Sequence, residues 1–194
     1  MPFARQNAAA QKDRERRAFV TDREQKVYDA LHALGIPFTV MQHEAVHTMD
    51  DCTALVAEPD VVYCKNLFLC NRQRTRFYLL LVLPDKVFHT ASVSGQLGVS
   101  RLSFAPEELL PDYLGLCAGA VSPMGLLNDQ QGRVRLLVDS DLPRSKRVAF
   151  HPCVNTATLI LSTQDFLNVY LPHTDHIPTM VSLPAEESFS NEVS

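Results

Sequence analysis

The chain has 194 residues, 46% hydrophobic and 21% charged, with a formal net charge of -4 and a pI near 5.9. That size and balance fit one globular domain that buries a full core without staples, and the acidic charge argues against a protein that grips duplex DNA by neutralising many phosphates. No run reaches the roughly 18 uncharged apolar residues needed to span a bilayer, and the first residues lack the apolar middle of a secretory signal, so the expectation is a soluble, cytoplasmic protein without membrane contact.

In chain order, residues 1–20 are polar and charge-dense, with Lys12, Arg14, Arg16 and Arg17 close together, and read as a frayed or helical extension. A helix follows, capped by Asp22 and running to residue 34, because Val27, Ala30, Leu31 and Leu34 recur at helical spacing and Gly35 and Pro37 stop it. PFTVMQH reads as a strand and TMDDCTALVAE as a helix ended by Pro59. Next comes YCKNLFLCNRQRTRFYLLLV, two apolar runs joined at Asn71 to Thr75, which read as an antiparallel hairpin. TASVSGQLG is helical, RLSFA extended, and PEELLPDYL helical with Pro106 in its first turn. RVRLLVDSDL and RVAFHPCVNTATLILS are the last clear strands, and STQDFLNVYL is a closing helix capped by Ser162 or Thr163. After Pro172 the chain is rich in proline and serine without periodicity and reads as an irregular tail. The expected fold class is α/β: a single domain over 21–176 with a mixed, largely antiparallel sheet flanked by helices, and a C-terminal tail over 177–194.

Lys65 stands out within the hairpin. Read with a period of two, Tyr63, Lys65, Leu67 and Leu69 share one face and Cys64, Asn66, Phe68 and Cys70 the other, and both faces are largely apolar. An ammonium group there loses several kcal/mol of hydration unless it finds a partner or water. Lys65 is therefore expected at a pocket mouth, or the strand starts just after it.

HEAVH, residues 43–47, matches the H-E-x-x-H zinc-protease pattern. That chemistry requires a helix, which puts both histidines on one face with the glutamate poised to activate water. Here the motif follows a period-two run, so His43 is expected to end a strand, and no third ligand is recognisable downstream. The cysteines (52, 64, 70, 117 and 153) are odd in number and contain no C-x-x-C, so reduced thiols are expected rather than a disulfide framework or a zinc knuckle. G-x-S-x-G, G-x-G-x-x-G and Walker patterns are absent, and neither a cofactor nor a metal is expected.

Three segments carry polar groups that a plain core would exclude. They are Lys65-Asn66, the loop GAVSPMG (119–125), whose glycine and proline expose backbone for close approach, and FHPCVNTAT (150–158), where His151 and Asn155 interrupt a strand-like run. CKNLFL followed by a hairpin, then G-x-x-x-P in GAVSPMGL, then FHPCVNTATLILS before a helix, in that order, resembles the free-standing prolyl-tRNA editing domains. These are relatives of the editing insertion of prolyl-tRNA synthetase and of the Cys-tRNA(Pro) deacylases, and the likeness runs from about residue 24 to 176, closest to the branch that hydrolyses Ala-tRNA(Pro).

The resemblance implies a metal-independent aminoacyl-tRNA deacylase that acts on the acceptor end of mischarged tRNA, with prolyl-tRNA synthetase as a further conceivable partner. It implies catalytic roles for Lys65 on the terminal nucleotide, for Gly119 through backbone groups that orient water and bind the developing oxyanion, and for His151. Asn66, Val121, Ser122, Pro123, Met124 and Asn155 would bind substrate, with Val121, Ser122 and Met124 as candidate gates against proline. Arg72, Arg74 and Arg76, or Arg144, Lys146 and Arg147, are two local clusters for acceptor-stem contact. The alternatives are a non-catalytic module of the same fold that binds tRNA or a synthetase and, further off, a zinc peptidase acting through HEAVH.

Overall fold

The computed structural model describes residues 20–46 and 58–186. The N-terminal extension and most of the helix expected at TMDDCTALVAE lie outside the described residues. Helix α1 (Asp22–Ala33) is capped by Thr21 rather than Asp22: the Thr21 side chain accepts from the Glu24 amide while the Glu24 carboxylate accepts from the Thr21 amide. This capping box satisfies two amides that the helix leaves open, and Asp22 contributes only favourable charge in the first turn. Glu24 is itself buried, and Tyr28 Oη and Gln42 Nε2 donate to its second oxygen, which ties α1 to the first strand.

The strands divide between two sheets, where the sequence suggested one. The first has the order β1 (Phe38–Gln42), β8 (Ala157–Ser162), β7 (Arg147–Phe150), β2 (Val61–Tyr63). The second has the order β5 (Leu102–Phe104), β3 (Lys65–Asn71), β4 (Phe77–Val82), β6 (Val134–Asp139), β9 (Thr179–Val181). Pairings β1–β8, β7–β8, β3–β4 and β3–β5 are antiparallel, while β2–β7, β4–β6 and β6–β9 are parallel. The architecture is thus a mixed α/β fold flanked by helices. Cys64, which is fully buried, is the single residue between β2 and β3, so the chain leaves one sheet and enters the other there.

Every residue of β4 is buried, as expected for a strand covered on both faces. Phe77, Leu79 and Leu81 enter the main core with Val148, Phe150, Leu159 and Leu161 of the first sheet. Tyr78, Leu80 and Val82 face a second cluster with Val93 of α2 (Thr90–Leu97) and with Val181 and Leu183.

Two further readings are corrected. RVAFHPCVNTATLILS is two antiparallel strands, since Pro152 brings no amide to a ladder and Cys153 adopts φ 66°, and the chain reverses between Phe150 and Ala157. The stretch after Pro172 contains β9, which pairs with β6; three residues are too few to show a period, so its extension was invisible in the sequence. Among the described residues no helix is long and apolar enough to cross a membrane.

Candidate active site

Lys65 is the first residue of β3, half-buried where the chain enters the second sheet, and its Nζ donates to the Lys86 carbonyl at 3.2 Å. Lys86 is anchored in turn: its ammonium lies 2.8 Å from Asp141 Oδ2 and 3.2 Å from the Leu183 carbonyl. Asn66 is half-buried and its neighbours in β3 alternate faces, so it points away from Lys65 toward the main core side. Its Oδ1 is buried without a hydrogen-bond donor among the described residues.

The G-x-x-x-P loop leaves the short helix α3 (Leu110–Leu114) and enters a 3-10 turn at Pro123–Asn128. Gly119 has φ 79°, a conformation that costs a side-chain-bearing residue about 1 kcal/mol or more. Ser122 is fully buried and its hydroxyl accepts from the Met124 amide, which starts the turn. Tyr170, in the π-helical turn Phe166–Tyr170, donates from its hydroxyl to the carbonyls of Met124 at 2.9 Å and Pro123 at 3.3 Å. Burial holds that phenol in its neutral, donating form by raising its pKa well above the ordinary value. Gly125 packs so closely that an added Cβ would meet Leu116 Cδ1 at 2.8 Å and the Leu114 carbonyl at 2.9 Å. The closing helical segment and α3 therefore fix the loop from two sides.

His151 follows β7 directly and is buried. The Tyr63 ring meets it edge-on at 5.6 Å and the His43 ring lies 6.4 Å away. Burial, reinforced by the nearby His43, lowers its pKa to about 4, so the imidazole is neutral near pH 7. Its Nε2 is buried without a partner among the described residues. His43 shares a 2.9 Å hydrogen bond between Nε2 and Thr158 Oγ1. Asn155 donates from Nδ2 to the Val46 carbonyl at 3.4 Å, and the same Nδ2 lies 3.7 Å from where a Cβ on Gly119 would be.

The structure thus brings Gly119 beside Asn155, and His151 beside Tyr63, the residue that precedes the Cys64-Lys65 crossing. Lys65 and Asn66 lie at that crossing, at the junction of the two sheets. Val121 is half-buried at the edge of the main core. Pro123 and Met124 are buried; Met124 packs in the core and lines a cavity of about 220 Å³ beside α1, together with Val27, Asn128 and Cys153. Residue-level reading missed Tyr63 and Thr158; His43 stands at the end of its strand as expected, and what was missed is its approach to His151. His43 follows a strand and Glu44 sits in a bend, so that part of HEAVH lacks the helical spacing a shared metal requires, while His47 lies outside the described residues. Among the described residues there is no group of three or more metal-ligating side chains.

A buried imidazole with a nitrogen unpartnered among the described residues, a glycine loop with exposed backbone and a half-buried lysine are the equipment of a site that positions a polar substrate for hydrolysis. Residues 43–169 match the aminoacyl-tRNA editing domain family. The chain belongs to that family, and its activity class is aminoacyl-tRNA deacylation, a hydrolysis. Among its relatives is the prolyl-tRNA editing protein ProX of Acetoanaerobium sticklandii, 35% identical over 144 residues that cover 74% of this chain and 88% of the relative. The prolyl-tRNA synthetase associated domain-containing protein 1 of Mus musculus is 31% identical over 156 residues, 78% of this chain and 91% of the relative. In fold, the chain superposes with a TM-score of 0.64 and 20% identity on a crystal structure described as a candidate trans-editing enzyme for prolyl tRNA synthetase, covering 84% of this chain and 98% of that one.

Proposed function

We propose that the chain is a cytoplasmic trans-editing deacylase for prolyl-tRNA mischarging, with Ala-tRNA(Pro) as its preferred substrate. The names of the relatives support the prolyl-tRNA reading, and two geometric observations support the mechanism: Gly119, at φ 79°, lies against Asn155, and the buried His151 keeps an Nε2 without a hydrogen-bond partner among the described residues. In this reading Lys65 holds the terminal nucleotide by its charge, while Asn66, on the opposite face of β3, offers its Oδ1 to a substrate group on the main-core side. Water attacks the ester carbonyl. Its oxygen bonds to the carbonyl carbon, the carbonyl oxygen takes up negative charge opposite the backbone amides of the Gly119 loop, and collapse expels the ribose hydroxyl, which takes the proton given up by the water. A neutral His151 accepts or donates a hydrogen bond without adding charge, and so orients water or the substrate's 2′-hydroxyl.

Discrimination against proline follows from size, because an apolar wall refuses a larger ring by steric clash. Val121 is the gate at the loop surface, with Ser122 and Met124 behind it as rigid support: the Ser122 hydroxyl is engaged in capping and Met124 is packed in the core.

The test is single-turnover hydrolysis of Ala-tRNA(Pro) and Pro-tRNA(Pro) by the wild-type chain and by Lys65→Ala, with a thermal melt of each. Ester loss from Ala-tRNA(Pro) well above the buffer rate, little from Pro-tRNA(Pro), and a loss of about a hundred-fold or more in Lys65→Ala at an unchanged melting temperature are expected. Binding of tRNA without hydrolysis would instead identify a silent module of this fold, and full activity in Lys65→Ala would remove the anchor role.

A further inference from the structure

The two basic clusters visible in the sequence have opposite fates in the fold. Arg144 pairs with Asp141 at 2.6 Å, Lys146 approaches Asp60 at 3.9 Å, and Arg147 meets both Glu58 at 2.5 Å and Asp60 at 3.0 Å. Each member of that cluster already faces a carboxylate. Arg72, Arg74 and Arg76 are exposed in the β3–β4 turn and have no ion pair among the described residues. The sheet adds to them. Asn71 pairs with Leu102, which places exposed Arg101 at the same end, and Tyr78 pairs with Arg135, exposed in β6. Arg133, just before β6, is already engaged by Asp129 and stacked 4.4 Å from the Tyr113 ring centre.

The turn that carries the first three arginines is rigid. Buried Asn71 accepts from the Thr75 amide at 2.8 Å and the Arg76 amide at 3.0 Å, and donates to Thr75 Oγ1 at 3.0 Å. Its own carbonyl accepts from the Arg74 amide at 2.9 Å, and Arg74 itself takes φ 54°. Holding the backbone this way reduces the entropy lost when the guanidinium groups engage a ligand. Five arginines from three segments on one end of a sheet, none with an ion pair among the described residues, form a local site for a polyanion in a protein of net charge -4.

The position selects which polyanion. β3 runs from Lys65 to this turn, and at about 3.3 Å per residue the two lie about 20 Å apart. That is the length of about six stacked nucleotides at roughly 3.4 Å each, enough to pass from a terminal nucleotide at Lys65 beyond the unpaired 3′ end into a paired stem. We propose that Arg72, Arg74, Arg76, Arg101 and Arg135 hold acceptor-stem phosphates of the tRNA whose ester is cleaved at the Lys65 end of the same strand. The proposal rests on the deacylase reading and adds to it the surface on which the substrate lies.

Uncharged tRNA and full-length protein serve for the binding test, with affinity measured across a salt series for the wild type, for Arg72→Gln/Arg74→Gln/Arg76→Gln, and for Arg144→Gln/Lys146→Gln/Arg147→Gln. The hairpin variant is expected to bind about ten-fold or more weakly and to lose about two to three units of slope in log K against log salt, while the second variant binds as the wild type does. Hydrolysis of a minimal aminoacyl-adenosine ester, which is too short to reach the turn, should be unchanged in the hairpin variant. Wild-type affinity and slope in that variant would overturn the surface, as would equal loss on the minimal ester. Failure of the wild type to hydrolyse any aminoacyl ester would overturn the deacylase reading instead, and the binding series reads the surface independently of it.

Discussion

His151 gives the site a measurable pH signature. An imidazole in the unfolded chain titrates near 6.5, whereas burial and the adjacent His43 lower the folded value to about 4. Between those values the unfolded chain binds a proton that the folded chain does not, so stability rises with pH through the window and is lost as pH falls from about 6.5 toward about 4. The slope from one such group is about 1.4 kcal/mol per pH unit. His151→Gln removes that titration, leaving His43, Tyr63 and the backbone around Thr156 in place, and is expected to show a shallower decline in urea midpoint between pH 7 and pH 5 than the wild type. Parallel declines would mean that His151 is not held neutral by its surroundings. At this scale Lys65, Gly119, His151 and Asn155 were legible as candidates for the proposed site, because a charge in an apolar run, a glycine before a proline and a histidine before a proline each break a local pattern. Tyr63 and Thr158 were not legible, since an aromatic and a threonine in strands break nothing, and the end of a strand, where His43 was expected, does not tell which ring it will meet.

The G-x-x-x-P loop shows how an element can be rigid and still contain a glycine that no other residue replaces well. Tyr170 holds the carbonyls at 123 and 124 and Ser122 caps the turn, so any relaxation after a substitution at Gly119 must occur within residues 117–121. An alanine Cβ at 119 would meet only Asn155 Nδ2, at an ordinary contact distance of 3.7 Å. Space is available, but the left-handed backbone at φ 79° disfavours it. Gly119→Ala should therefore cost about 1 to 2 kcal/mol of stability, with a larger effect, at least ten-fold, on single-turnover deacylation, since in the proposed mechanism a shift of a few tenths of an ångström misdirects the amides aimed at the ester. Denaturant midpoints and turnover per folded molecule separate the two, and unchanged turnover would detach this backbone from catalysis. The β3–β4 hairpin, α1, α2 and the closing helix were readable from their residue patterns, the last with its Ser162 cap, whereas the cap of α1 is Thr21 and not Asp22. What the sequence did not reveal was the reversal at 151–156, because HPCVN carries no turn signature stronger than its proline, and the left-handed residue is Cys153 rather than a glycine or asparagine.

For the molecule as a whole, the feature least visible in the sequence is the way the second sheet is closed. Strand pairing is a tertiary choice, and a chain that changes sheets across one residue, Cys64, looks like one long apolar run. The stretch beyond 176, which reads as a tail, supplies β9 on the edge of β6 and buries Val181 and Leu183 in the second hydrophobic cluster. Ser182 exchanges two 2.8 Å hydrogen bonds with the Gln96 side chain of α2, through its amide and its carbonyl. Farther on, the Val87 amide donates to the Pro184 carbonyl and the Glu186 amide to the Asp85 carbonyl, both at 3.0 Å, and Lys86 Nζ reaches the Leu183 carbonyl. Those contacts pin residues 85–87, whose central carbonyl receives the Lys65 ammonium. Ending the chain at residue 176 should therefore do two things. Two buried side chains worth roughly 1.5 to 3 kcal/mol each are lost, so the melting temperature should fall by several degrees or more. Turnover per folded molecule should also fall, because Lys65 loses the fixed acceptor that orients it. Lys86→Met, which keeps the chain whole but removes the ion pair to Asp141, separates packing from positioning: it should lower turnover on aminoacyl-tRNA with a smaller change in melting temperature than the truncation. A truncated chain that melts and turns over as the full-length protein does would show that the segment after 176 is dispensable to both core and site.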